Sequence, residues 1–174
     1  MAMKMSKWFG LVVLILLVSL STLVSAQSAQ TLEVEATSYI VSSQWLPAGD
    51  EAGHSIGMQQ RAGKASFSDG NTAQYSTVSN FDFRRGKGGS SSGYSKFTFD
   101  DGATIVFSWT AKATIGEDGL TLNEGQGIIL KGTGRFAGIK GTSSFSGKQL
   151  KPAAEDPKGA AIQHATIKFT LPKK

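Results

Sequence analysis

Cysteine is absent from the whole 174-residue chain, which removes disulfides, thiolate metal sites and thiol nucleophiles together. Histidine is almost as scarce, at two residues, His54 and His164. They lie on different expected strands, without a third imidazole and without an acid at ligand spacing, so neither a metal site nor a cofactor is expected. After residue 30 no window keeps apolar residues at helical spacing for three turns, which argues against a helical domain. Runs of five or more like charges are missing, and so is any basic helix; nucleic acid is therefore not an expected partner. The chain also has no Asn-x-Ser/Thr sequon, which suits a bacterial periplasmic or secreted protein and leaves a eukaryotic source open.

What is present begins with a leader. Lys4 and Lys7 precede the apolar run Leu11 to Val18, and Val24-Ser25-Ala26 offers small residues where a signal peptidase cuts. The run is shorter than the roughly 20 apolar residues a membrane-spanning helix needs. The expected organisation is a signal peptide over residues 1–26 and one domain over 27–174, secreted or periplasmic, with no membrane contact after cleavage. Lys4 and Lys7 supply two of the 18 basic residues, so the mature chain sets 16 against 13 acidic ones, a formal +3. Arg84, Arg85 and Lys87 form its one basic group, read as a solvated loop that keeps a strand edge from pairing, with anion binding as the other reading.

Period-two alternation dominates the mature chain. Ile105, Phe107, Trp109 and Ala111 alternate with Thr104, Ser108, Thr110 and Lys112, so one face of that strand meets apolar surroundings. Ser68-Asp69-Gly70-Asn71, Asp100-Asp101-Gly102 and Gly116-Glu117-Asp118-Gly119 separate such segments as hairpin turns, because glycine takes positive φ without steric cost. Strands are expected near 32–41, 54–61, 63–68, 72–82, 94–99, 103–113, 120–130, 139–149 and 161–171. The second and third make one strand if bent at Gly63, which gives eight. Eight antiparallel strands with short turns close most economically into a barrel. Ser42–Gly53, Arg84–Gly93 and Lys151–Gly159 are expected as irregular loops, the Ser/Gly-rich run Gly88–Gly93 as a mobile one.

Glycine is densest between Glu124 and Gly147. Gly132, Gly134 and Ala137 match a dinucleotide-binding pattern, but strand and turn residues follow where a helix is needed to hold the pyrophosphate. The expected alternative is a tight connection in which Gly132 and Gly134 take special backbone angles and Phe136 plugs one end of a barrel. From Gly132-Thr133-Gly134-Arg135-Phe136 through Ala137-Gly138 and Gly141 to Gly147, the sequence resembles the allene oxide cyclase-like barrels, which include the dirigent proteins and exported bacterial relatives. Gly53-His54-Ser55-Ile56-Gly57 supports the resemblance more weakly. It implies an all-β fold, an eight-stranded antiparallel closed barrel of calycin-like form with a central cavity. The cyclase branch uses a cavity carboxylate and a cysteine, and dirigent members use cavity acids and arginines; no catalytic residue carries over to this chain.

Read from the residues alone, the catalytic candidates are Glu124, Arg61 and His54. A lumenal Glu124–Arg61 pair would hold a carboxylate where it could act as a base or orient an oxygenated ligand; outward-facing Glu124 and Glu35 are the plainer alternative. His54 follows a long loop and is placed near a mouth, and His164 is placed on the outer surface. Tyr75, Phe97, Phe107, Trp109 and Trp45, with Phe67 and Phe99, are expected to line or fill the lumen. The leading expectation is a barrel that binds a small, largely apolar ligand in a hydrophobic cavity. The alternatives are a cyclase or isomerase that folds a flexible substrate, and a homo-oligomeric structural barrel with a filled lumen.

Overall fold

The computed structural model describes residues 28–152 and 154–173; the expected leader lies outside them. Eight strands follow in chain order: β1 Gln30–Pro47, β2 His54–Phe67, β3 Thr72–Arg84, β4 Gly88–Phe99, β5 Thr104–Ile115, β6 Thr121–Gly132, β7 Lys140–Gln149 and β8 Ala161–Thr170. Each pairs antiparallel with its neighbours, and β1 pairs with β8, so the sheet closes into a barrel. All-β architecture, eight strands and closure are as expected. The segments flanking Gly63 are one continuous strand, β2.

Side-chain alternation sorts the wall. Along β3, Ala73, Tyr75, Thr77 and Ser79 are buried while Gln74, Ser76, Val78 and Asn80 are exposed, and β4 repeats this with Ser95, Phe97 and Phe99. One end of the lumen is filled by aromatic and aliphatic groups. Phe67 contacts Phe97 and Phe99, with ring centroids 5.2 and 5.1 Å apart, and Phe136 lies 4.9 Å from Phe99. Phe136 belongs to a single 3-10 turn, Gly134–Phe136, and is the expected plug. The Arg135 guanidinium covers that end from outside, 4.8 Å from the Phe99 ring and 5.0 Å from that of Phe136.

Several local expectations are corrected. Gly88–Gly93 is not a loop: it is the first half of β4, paired with β3 on one side and, from Gly89, with β5 on the other. Ser42–Pro47 likewise continues β1 beyond a bulge at Val41, paired with Ser55–Gln60. The connection after Arg84 shrinks to Arg85-Gly86-Lys87, and a closed barrel has no free edge for its charges to guard. Gly134, at φ +59°, needs glycine's left-handed freedom, but Gly132 does not; a Cβ there would run into the Phe136 carbonyl oxygen.

Candidate functional site

Moving from the plugged end toward the opposite mouth, the inward positions change character. Phe97 and Phe107 give way to Ser95, Thr77, Ser79, Gln59 and Ser91, all buried, with Arg61 half-buried among them. Buried hydroxyls and amides need partners. Thr77 donates to the Tyr94 carbonyl at 3.0 Å, and the Tyr75 hydroxyl donates to Gln163 Oε1 at 3.0 Å. Burial pushes the Tyr75 phenol above its ordinary range, so it remains a protonated donor.

Between the two halves lies a void of about 40 Å³. Val34, Ala36, Phe97, Phe107, Ala165 and Ile167 supply its apolar wall, and Tyr75, Ser95, Ser143, Gln163 and Trp109 its polar atoms. Four of the five aromatic candidates therefore meet here. Tyr75, Phe97 and Phe107 are also core members, so they fill most of the lumen they line. Trp45 sits apart at the mouth, 41% exposed, its ring 5.6 Å from Phe81.

Trp109 is set between glycines. In register it lies between Gly93 on β4 and Gly127 on β6. A Cβ at Gly93 would come within 2.8 Å of the indole Cζ2, and one at Gly127 within 3.3 Å of the Trp109 Cβ. Phe145 meets the indole edge-on, at 5.8 Å and 88°. Its Nε1 is buried and has no hydrogen-bond partner, the one such side-chain atom among the described residues.

Glu124 and Arg61 do not meet. Glu124 is exposed on the outer wall, opposite Lys112 and Ser146, and Glu35 is outside too, 3.8 Å from the exposed His164. Arg61 does face inward, but its partners are uncharged. Its guanidinium donates to Ser38 Oγ at 3.1 Å, Gln59 Oε1 at 3.1 Å, the Ser38 carbonyl at 3.2 Å and the Gly159 carbonyl at 2.5 Å. Burial lowers its pKa without threatening the charge of a guanidinium. The last bond, with the bond from the Ile40 N–H to the Lys158 carbonyl, ties the β7–β8 connection over the mouth.

His54 is buried at the rim and is the centre of a charged cluster. Nδ1 lies 2.5 Å from Asp50 Oδ1 and Nε2 lies 2.8 Å from Asp82 Oδ1, so both ring nitrogens donate and the ring is an imidazolium. Arg84 binds Glu51 at 2.6 Å and Asp82 at 3.1 Å, and Lys87 reaches Glu51 at 3.4 Å. The loop between β1 and β2 is thereby held to β3 by opposite charges. The bonds to Asp82 and then Asp50 raise the His54 pKa above its ordinary 6.5, against burial and the repulsion of Arg84. The bond from His54 holds Asp50 below its ordinary 3.8.

A proton bound more tightly in the folded chain stabilises it fully below pH 6.5, and that contribution fades as the pH rises through the raised value. The Asp50 carboxylate contributes above pH 3.8 and is lost as the pH falls through its depressed value. Replacing His54 with Gln is therefore expected to lower the melting temperature most between these limits, the gap to the parent narrowing at alkaline pH. Thermal melts of both proteins across that range check it, and a pH-independent gap counts against it.

No protein-family model and no curated protein sequence matches this chain. Solved structures similar to it include two pterocarpan synthase dirigent proteins. One has 14% identity over 84% of this chain and 93% of its own, with a TM-score of 0.46; the other has 13% identity over 83% and 97%, with a TM-score of 0.43. Neither level of likeness bears on activity.

Proposed function

We propose that this protein is exported and that its barrel binds a small, largely apolar molecule in the lumen. The observation that carries the reading is the void beside the aromatic end, with its apolar wall and few inward polar atoms. About 40 Å³ accepts a water or one functional group, so the resting barrel is a seat for one end of a ligand. The remainder would lie toward the hydroxyl-lined half. Among the described residues no carboxylate and no imidazole lines the void, which favours binding over acid–base chemistry. The outer wall supports a protein free of membrane after cleavage. Lys64, Lys96, Lys112 and Lys168 are exposed on the same wall as Val78, Tyr94, Ile128 and Leu130, where a lipid-facing barrel carries an apolar band without such charges.

Native mass spectrometry of the protein purified from its own host tests this. A small apolar adduct that leaves on denaturation is the expected result. A bare chain that also ignores apolar fluorescent probes overturns the reading, and a stable empty dimer or trimer would replace it with a structural role.

A further inference from the structure

We propose that β1 overruns the barrel to form a docking edge, and that its occupant is the same segment, residues 42–47, of a second copy of this chain, paired antiparallel about a two-fold axis at Gln44.

The ring closes over only part of β1. β8 pairs with it from Gln30 to Ser38, and the Ile40 N–H then bonds to the Lys158 carbonyl at 2.7 Å. Beyond that point β2 is the one partner strand among the described residues, and every residue from Val41 to Asp50 is exposed. The last rung of this overhang fixes which way its backbone groups turn. The Ala48 N–H bonds to the His54 carbonyl at 3.1 Å, and bonded pairs alternate along an antiparallel ladder, so Leu46, Gln44 and Ser42 also turn their groups to β2. Ser43 and Trp45 therefore turn theirs the other way. Among the described residues their N–H and carbonyl groups meet no strand there. The bulge at Val41 and Pro47, which has no N–H, bound the window.

Charge selects the occupant. Residues 36–49 hold no Asp, Glu, Lys or Arg, whereas every other strand carries a lysine or an arginine. Such charges ordinarily guard an edge that stays single. Two-fold pairing sets the segment against itself and would double any charge it carried; an uncharged segment meets no such repulsion. The Ser43 N–H then donates to the partner's Trp45 carbonyl and the Trp45 N–H to the partner's Ser43 carbonyl, four bonds in all by symmetry. At the axis Gln44 faces its own copy, each amide offering the other a donor and an acceptor. Apolar surface gathers at the same place. Val41, Trp45, Leu46, Ile56 and Met58, on the overhang and the part of β2 beside it, are five of the eleven exposed large hydrophobic side chains among the described residues. Neither Ser43 nor Gln44 borders the lumenal void, so the dimer and the binding proposed above are independent.

Sedimentation of the purified protein over a concentration series tests this. The parent should be a dimer at about 0.1 mM and dissociate on dilution, as fits a small interface. Gln44→Lys and Gln44→Glu should each weaken the dimer about fivefold, because like charges then face each other across the axis, and mixing the two variants in equal amounts should restore it. Ser43→Pro removes an N–H directed away from β2 and should weaken association about tenfold or more, two bonds being lost by symmetry. If Ser43→Pro folds poorly, the two Gln44 variants, changed only at an exposed side chain, still decide. A parent that is monomeric at that concentration overturns the inference, and so does a dimer indifferent to charge at residue 44, which must associate through another face. A dimer that carries an apolar adduct supports both this inference and lumenal binding; an empty one supports the first and overturns the second.

Discussion

Phe97→Ala is expected to lower the unfolding free energy by about 3–5 kcal/mol and to open the lumen at the same time. The ring is 6% exposed and packs against three others: Phe67 edge-on at 5.2 Å, Tyr75 stacked at 5.3 Å and Phe107 edge-on at 5.8 Å. Truncation removes all three contacts, and the closed wall of a barrel has little freedom to collapse into the space. Because Phe97 already borders the void, the vacated volume joins it. The variant should therefore take up a whole benzene where the parent's void of about 40 Å³ admits one functional group, and benzene should raise the variant's melting temperature more than the parent's by mass action. Urea unfolding with and without benzene measures both effects. A loss below about 1.5 kcal/mol would mean that the neighbouring rings close over the gap, and the lumen would then be far softer than its packing implies.

Gly63→Ala should cost about 3 kcal/mol or more, for a different reason. Gly63 is extended and under no conformational strain, but a Cβ there would be driven into the Thr37 carbonyl oxygen, with Ser38 Cα at 2.7 Å. Both obstacles are backbone, so no side chain can swing aside and β1 must part from β2. The damage reaches the lumen, because Ser38 accepts two bonds from Arg61. Gly70→Ala is the matched comparison. Gly70 has φ +84° and nothing within 4 Å of the new methyl, so strain alone, about 1 kcal/mol, should be lost. Denaturant midpoints of the two variants separate crowding from conformational strain. Equal losses would show that the β1–β2 contact is not the tight one.

The architecture was legible because its signals are local. Phe67, Phe97, Phe99, Ile105 and Phe107 alternate with polar residues except at Val106, and the Asp-Gly turns sit between them. Legibility failed where partners on both sides decide the state. Gly88–Gly93 has the composition of a linker, yet β3 and β5 each supply hydrogen bonds to it, and tertiary context overrides a weak intrinsic preference. β6 misled in another way. Its apolar Ile128 and Leu130 are exposed while Gly125 and Gly127 turn toward Phe145 and Trp109, so apolarity points to the wrong face. Glu124, which neighbours them in sequence, was accordingly a poor guess for a lumenal acid. The His54 cluster was hidden for a topological reason. Asp50 and Asp82 reach one imidazole only because His54 stands opposite Arg84 in the β2–β3 register, and nothing in the spacing along the chain announces that.

The β1–β8 seam sets the order in which the molecule can be made. Gln30 pairs with Phe169 and Ser38 with Ala161, so the first strand to leave the ribosome waits for the last before the wall closes. Contacts so distant in sequence make folding slow. A nascent chain held open in this way remains threadable, and in the export proposed above that delay would be an advantage: the barrel would complete itself only after β8 had followed the rest across.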